Sequence, residues 1–306
     1  MHFKRKQYQT IYRPSTGGDD ITRLTPEMIK HVPYASVERD RALISSIGTD
    51  MKGLAYEAVG VMPDSMPLED YSTAVVPVTS GKGVTPGFTE SVCSILQHLG
   101  MKSFITQRTD IAGLSDALAA KADIVFMADD AEFIALNTHT STFSDNIRST
   151  ALGYFTALKI AANGLQGKEV LLIGAGRVGD KMADMLEAEE AKVTITDIDP
   201  LKSRALQKKH VDFKVCDDLE EAVRSSTLIL NASPGKIPGN WINEGTVVSS
   251  PGMPYSFDEE GLKKMKILIH DPLQIGVSVM AVWSASLSLY ELPLPVENPV
   301  CAEVIL

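Results

Sequence analysis

The chain has 306 residues and a net charge of −10. This length suits two domains of ordinary size, and the charge argues against nucleic acid or an anionic membrane surface as the main partner. Its three widely spaced cysteines argue against a disulfide framework or metal cluster and favour the cytoplasm, and no apolar run reaches the length that spans a membrane.

The first half of the chain predicts helices followed by alternating strands and helices. Thr25, as an N-cap before Pro26, predicts a first helix that runs to about Ile47 with an interruption near Pro33. Apolar runs and periodic segments predict the elements that follow: strands over 73–79, 102–106 and 123–128, and helices over 51–59, 88–99 and 114–121. This alternation indicates an α/β layer.

Residues 129–163 join this layer to the second half of the chain. Asp130 has the side chain of an N-cap and predicts a short helix over 131–137, which leaves Asp129 without a structural role. The polar stretch 138–145 predicts a loop, and 146–163 predicts a long helix that links the two halves.

The second half predicts a doubly wound, Rossmann-type sheet. The expected strands are 169–173, 192–196, 211–215, 227–231, 246–249 and 266–269, and an apolar helix over 277–289 is expected to pack back across the domains. We therefore divide the chain into an N-terminal α/β substrate domain (21–150) and an NAD-binding domain with a C-terminal helix (151–290). Residues 1–20 and 291–306 are terminal extensions, and residues 1–20 lack the apolar segment of a signal peptide.

The strongest motif is a glycine fingerprint between a predicted strand and a predicted helix. Gly174, Gly176 and Gly179 have the G-x-G-x-x-G spacing, with Arg177 and Val178 between them. These glycines permit a tight turn, approach of a pyrophosphate and close helix packing, and the helix N-terminus favours phosphate. Asp197 ends the next strand, where it can bind the adenosine ribose, and no Arg follows immediately, which favours NAD over NADP. The alternative is a glycine-rich turn in an ordinary βαβ unit.

Two further strand ends in the second half should face the cofactor. The first is the loop with Ala232, Ser233 and Pro234, and the second contains Ser250, Pro251 and Gly252. Short loops of small residues let a nicotinamide ribose lie close to the backbone. Tight-turn chemistry alone would produce the same composition.

Two strand ends in the first half should lie across the cleft from the nicotinamide. One is the turn with Ser80 and Lys82, whose hydroxyl and glycines can hold a ligand or merely connect a strand to a helix. Lys82 could polarise a carbonyl or imine, or be a solvated lysine. The other strand end carries Asp129, whose carboxylate can anchor a substrate ammonium or accept its proton.

Several stretches together resemble the pyrrolysine-biosynthesis dehydrogenase family, the PylD family. The matching stretches keep their order and spacing: LTPE at 24–27, VPVTSGKG at 76–83, MADD at 127–130, GAGRVG at 174–179, SPGMP at 250–254 and DPLQIG at 271–276. The glycine fingerprint is generic, whereas VPVTSG, MADD and SPGMP are specific in combination.

The resemblance implies a substrate, a reaction and a set of contacts. It implies oxidation by NAD of the terminal amine of Nε-(3-methyl-D-ornithyl)-L-lysine, a dipeptide-like small molecule, followed by loss of ammonia and closure to the pyrroline ring of pyrrolysine. The family's substrate contacts correspond to Leu24, Ser80, Phe88, Asp129, Asn146 and Thr150. The first helix is expected to close over the substrate.

Two other functions stay open on the residues alone. One is an NAD-dependent dehydrogenase of ordinary amino acids or imines, which would need a catalytic lysine–acid pair, and Lys82 is the candidate lysine. The other is a non-catalytic NAD-binding sensor or assembly protein, whose cleft would lack polar substrate groups such as Asp129 and Ser80. Assembly as a homodimer is left open as well.

Overall fold

A five-stranded sheet organises the first half of the described chain. The structure is a computed structural model and describes residues 24–289, so both terminal extensions lie outside the described residues. The strands are β1 (Ser72–Val76), β2 (Lys102–Ile105), β3 (Ile124–Ala128), β4 (Phe133–Asn137) and β5 (Thr142–Asp145). Their order is β2-β1-β3-β4-β5, with β1 parallel to β2 and β3 and the last three strands antiparallel.

A six-stranded parallel sheet organises the second half. Its strands are β6 (Glu169–Ile173), β7 (Lys192–Thr196), β8 (Lys214–Val215), β9 (Leu228–Asn231), β10 (Thr246–Ser249) and β11 (Met265–Ile269). The order β11-β10-β9-β6-β7-β8 places the strand reversal between β6 and β9. Numbered within this half, it is the Rossmann order 3-2-1-4-5-6, which binds ligands beyond the strand ends at that reversal. The predicted α/β fold with a Rossmann-type sheet is confirmed.

Helices cover the faces of both sheets. They are α1 (Pro26–Ile29), α2 (Val32–Ile47), α3 (Met51–Val59), α4 (Phe88–His98), α5 (Asp110–Ala119), α6 (Asn146–Ala161), α7 (Arg177–Ala188), α8 (Pro200–Lys209), α9 (Leu219–Arg224), α10 (Glu259–Lys264) and α11 (Gln274–Ser286). Short 3-10 turns cover Pro63–Ser65, Leu68–Asp70, Gly239–Trp241 and Leu287–Leu289. Within the described residues, no helix combines the length and apolar character needed to cross a bilayer.

Helix α11 packs back onto the first half, as its apolar sequence predicted. Almost all of its residues are buried, and polar side chains fix it to the first sheet. Ser144 Oγ donates to the Met280 carbonyl at 3.0 Å, and Asn137 Nδ2 donates to the Ser284 carbonyl at 2.8 Å. Because α11 follows β11 of the second sheet, these bonds hold the two halves together around the cleft.

Helices α6 and α11 cross at Gly153, and we expect Gly153→Ala to destabilise the protein. An added Cβ would lie 2.5 Å from Ile275 Cγ2 and 3.1 Å from Val279 Cγ2. Overpacking of this kind costs about 1–3 kcal/mol, partly offset by the better helix propensity of alanine. Denaturant unfolding would measure the change against Gly235→Ala on an exposed loop. Equal stability of the two variants would contradict close packing at the crossing.

The predicted helix over 131–137 is wrong, because these residues form strand β4. Burial alternates along it: Phe133, Ala135 and Asn137 are buried, whereas the intervening residues are half-buried. That period of two belongs to a strand paired on both sides. The predicted loop over 138–145 is wrong in its second part, where β5 extends the sheet by pairing with β4.

The first helix and the first strand differ from the prediction at their ends. The helical region breaks at Lys30 and His31, and Pro33 lies in the first turn of α2, a position where a missing N–H costs nothing. Thr25 has the extended backbone of an N-cap but makes no side-chain capping bond. Strand β1 ends at Val76, directly before Pro77, so this proline interrupts no ladder bond.

Candidate active site

A cleft of about 550 Å³ lies between the carboxyl ends of the two sheets. It brings together most of the residues predicted to bind substrate or cofactor. From the first half and its linking helix it is lined by Leu24, Phe88, Asp129, Asn146 and Thr150, and from the second half by Gly176, Arg177, Val178, Ala232, Pro234, Pro251 and Gly252. Members of both predicted sets therefore share one cavity.

The glycine turn has the geometry that a dinucleotide requires. Gly174 has a φ of +95°, which a residue with a side chain rarely adopts. A Cβ on Gly179 would lie 1.9 Å from the Gly174 carbonyl oxygen, so this glycine lets α7 pack against the turn. A Cβ on Gly176 would meet no atom of the described chain within 4 Å. Gly176 lines the cleft just before the N-terminus of α7, where a phosphate can approach.

Asp197 is tied to the glycine turn. Its carboxylate accepts hydrogen bonds from Ala175 N at 2.6 Å and Asp199 N at 2.8 Å. These bonds hold the carboxylate at the end of β7, beside the turn between β6 and α7. Asp197 itself lies off the cleft wall that the described residues form, whereas Lys202 on the following helix lines it. The binding of a ribose by Asp197 stays a prediction.

Ser233 and Ser250 lie in the two other loops that were predicted to face the cofactor. Ser250 is fully buried, and its hydroxyl exchanges hydrogen bonds with Asn231. Gly252 N donates to the Asn231 carbonyl at 3.1 Å, and a Cβ on Gly252 would lie 2.1 Å from the Ser233 carbonyl oxygen. The loops thus contact each other through their backbones. Their neighbours Ala232, Pro234 and Pro251 line the cleft instead.

Asp129 has a structural role that sequence reasoning missed. Its Oδ1 accepts hydrogen bonds from Ala131 N and Glu132 N, both at 2.8 Å, and so closes the turn between β3 and β4. The side chain lines the cleft and is exposed. The helix cap predicted for Asp130 is wrong, because strand β4 and not a helix follows this turn. Asp130 Oδ2 instead accepts a hydrogen bond from Lys82 N at 2.7 Å.

Ser80 and Lys82 do not reach the cleft wall formed by the described residues. Both are exposed, and the wall is formed here by Val78, Gly83, Val84 and Thr85. The backbone N–H and the hydroxyl of Thr79 each donate to the Asp110 carboxylate at 2.6 Å, which holds this loop toward α5. The substrate contact predicted at Ser80 therefore lacks support in this geometry, and so does a catalytic role for Lys82.

Apolar side chains form one part of the cleft and a polar pair another. Phe88 lies edge-on to Phe133, with ring centroids 5.3 Å apart, and both line the cleft. Thr150 donates to Asn146 Oδ1 at 3.3 Å, one turn away on α6. Gly276 of α11 makes room for this pair, because a Cβ there would lie 2.8 Å from Thr150 Oγ1.

Tyr154 and Asp271 are cleft residues that sequence reasoning missed. Tyr154 lies one helical turn after Thr150, which was the available signal. Its hydroxyl donates to the Asp271 carbonyl at 2.7 Å and accepts from Asp271 N at 2.9 Å. Burial raises the pKa of Tyr154 well above its usual value, so this phenol stays protonated and supports the cleft floor.

Among the described residues, no group of three or more His, Cys, Asp or Glu side chains is placed to hold a metal ion.

Two family models match the chain. The N-terminal domain of pyrrolysine biosynthesis protein PylD matches residues 28–144, and the NAD-binding domain of D-isomer-specific 2-hydroxyacid dehydrogenases matches residues 131–238. The second match is to a dehydrogenase-type NAD-binding domain, which supports an oxidoreductase.

Full-length relatives are more informative. A pyrrolysine synthase from Methanosarcina acetivorans is 31% identical over 263 residues, covering 84% of this chain and 97% of the relative. One from Methanosarcina barkeri is 30% identical over 262 residues, covering 84% and 95%. The solved structure of shikimate dehydrogenase from Aquifex aeolicus has a TM-score of 0.48 at 15% identity, over 72% of this chain and 97% of that one. Because it is 31% and 30% identical to these two pyrrolysine synthases over nearly their full length, this chain belongs to the PylD family.

Proposed function

We propose that the chain is an NAD-dependent amine dehydrogenase that performs the last step of pyrrolysine formation. Its substrate is Nε-(3-methyl-D-ornithyl)-L-lysine, and the oxidised carbon bears the terminal amine of the ornithine part. The observation that carries the proposal is one cleft in which Asp129 and Phe88 share the wall with Gly176 and Arg177. The relatives named pyrrolysine synthase support the substrate class.

The residues present fit a dinucleotide. The space beside Gly176 and the N-terminus of α7 suit a pyrophosphate, and the loops at Ala232 and Pro251 suit the nicotinamide half. When bound, NAD would accept the hydride from the amine-bearing carbon. Asp197 beside the turn supports NAD over NADP, because its carboxylate would repel a 2′-phosphate.

The chain's own residues bind and orient the amine. An amine releases hydride only in its neutral form, since the nitrogen lone pair drives the transfer. Asp129 lines the cleft and either anchors the ammonium or accepts its proton. The apolar wall at Phe88 and Phe133 limits access of water while the amine is positioned. Water then adds to the carbon–nitrogen double bond, ammonia leaves, and the aldehyde closes on the ornithine α-amine with loss of water.

A general amino-acid or imine dehydrogenase is the second candidate. It would need a lysine paired with an acid in the substrate half of the cleft. Lys82 is off the described cleft wall, and Lys202, which lines the cleft, follows β7 on the side expected for adenosine. A panel of substrates separates the two functions. NAD-dependent release of ammonia from methylornithyl-lysine supports pyrrolysine formation if lysine and ornithine release none and cyclic imines consume no NADH. Turnover of the common amino acids alone would refute it.

Replacing Asp197 should change the choice of cofactor. We expect Asp197→Ser to reduce the preference for NAD over NADP by about tenfold, because like-charge repulsion of the 2′-phosphate is removed. Titration of both cofactors by fluorescence would measure the two dissociation constants. Asp50→Ser is the control, because Asp50 caps helix α3 in the first half of the chain through Gly53 N at 2.7 Å. An unchanged preference in Asp197→Ser would remove Asp197 from cofactor selection.

A further inference from the structure

One ion pair crosses the cleft between the cofactor side and the substrate side. Arg177 is the first residue of α7, directly after Gly176. Its Nη2 lies 3.2 Å from Glu132 Oε1, and its Nη1 lies 3.5 Å from the Ala131 carbonyl oxygen. Glu132 belongs to the turn between β3 and β4 of the other sheet. The pair therefore joins the glycine fingerprint to the turn that carries Asp129.

The same turn orients the Asp129 carboxylate. Ala131 N and Glu132 N both donate to Asp129 Oδ1, and Asp129 N donates to the Glu132 carbonyl at 2.9 Å. The backbone N–H and the carbonyl of Glu132 both bond to Asp129, so any movement of the Glu132 backbone moves two groups that hold Asp129. A chain of contacts runs from Arg177 through Glu132 to the carboxylate that lines the cleft.

Arg177 is also placed to meet a phosphate. It lines the cleft at a helix N-terminus, where backbone N–H groups favour an anion. A guanidinium carries five N–H donors in a fixed plane, so it can bind a phosphate oxygen and Glu132 at the same time. A phosphate that restricts the motion of the Arg177 side chain reduces the entropy that is lost when Arg177 pairs with Glu132.

We propose that Arg177 and Glu132 form a bridge that positions Asp129 when the cofactor is bound, so that NAD and the amine substrate bind cooperatively. This rests on the proposed function. Glu132 is a positioning residue that acts through Asp129. Both side chains are partly exposed, with 30% and 44% of their surface accessible. The expected coupling is therefore that of a surface ion pair, about two- to fivefold in substrate affinity.

Amide hydrogen exchange tests the bridge without a substrate. In the wild-type protein, NAD should slow exchange at the N–H groups of Ala131 and Glu132. In Glu132→Gln, NAD should bind with similar affinity but no longer slow that exchange. The control is Glu220→Gln, which removes a comparable exposed pair with Arg224 at 2.7 Å on helix α9. That variant should keep the wild-type response.

Steady-state kinetics gives a second readout. We expect Glu132→Gln to raise the KM for the amine substrate about two- to fivefold at saturating NAD, with a smaller change in kcat. NAD binding by the wild type without slower exchange at these amides would overturn the bridge and leave the proposed function standing. Slower exchange at the Ala131 and Glu132 amides with NAD, but no turnover of the amine, would overturn the proposed substrate and support the bridge. Absence of NAD binding would overturn both.

Discussion

Gly176→Val should abolish NAD binding while leaving the fold intact. The added side chain would occupy the space that the pyrophosphate needs, and we expect a loss of affinity above about 100-fold. The protein itself should tolerate the change, because a Cβ at this position meets no atom of the described chain within 4 Å. Calorimetric titration with NAD and a thermal melt of the same sample would measure the two properties.

A second glycine of the same motif provides the contrast. Gly179→Ala places a Cβ 1.9 Å from the Gly174 carbonyl oxygen, so this variant should lose stability as well as NAD binding. The pair of variants separates a cofactor contact from a packing contact. Wild-type NAD affinity in Gly176→Val would refute the placement of the pyrophosphate at this turn.

Asp129→Asn should reduce kcat/KM by about 100-fold or more, with NAD affinity near that of the wild type. The substitution is a clean test because an asparagine oxygen can still accept the N–H groups of Ala131 and Glu132. It keeps the turn and removes the charge that anchors an ammonium or accepts its proton. Initial rates of NADH formation at varied substrate concentration would measure the effect.

Asp218→Asn is the matched control for Asp129→Asn. Asp218 likewise accepts a backbone N–H, from Glu221 at 3.1 Å, but it caps α9 and does not belong to the described wall of the cleft. Its turnover should stay at the wild-type value. If Asp129→Asn also kept wild-type turnover, Asp129 would have no part in the reaction and would serve only to close its turn.

Local sequence patterns predicted the cofactor half of the protein well. Gly174, Gly176 and Gly179 lie within six consecutive residues, and each role depends on backbone geometry inside one strand–turn–helix unit. The central strands β6 and β9 contain the apolar runs VLLI and LIL, because both faces of a parallel sheet are buried. Their positions therefore follow from composition, and the observed strand order agrees with the fold that was predicted.

The substrate half depended on contacts that are distant in sequence. Strand β4 was wrongly predicted as a helix. Its extended conformation depends on pairing with β3 and β5, which the local sequence does not reveal. Ser80 was predicted to contact the substrate, but its loop neighbours Val78 and Gly83 form the described cleft wall there instead. The bridge from Arg177 to Glu132 spans 45 residues of sequence, and no local pattern indicates it.

The most direct test of the proposed function is a single incubation of the purified protein with NAD and synthetic Nε-(3-methyl-D-ornithyl)-L-lysine. NADH is followed by absorbance and the product by mass spectrometry. We expect equal amounts of NADH and of a product that has lost ammonia and two hydrogens relative to the substrate. Measurable NAD binding without NADH formation, or NADH with a product that retains both nitrogens of the ornithine part, would contradict the proposed function.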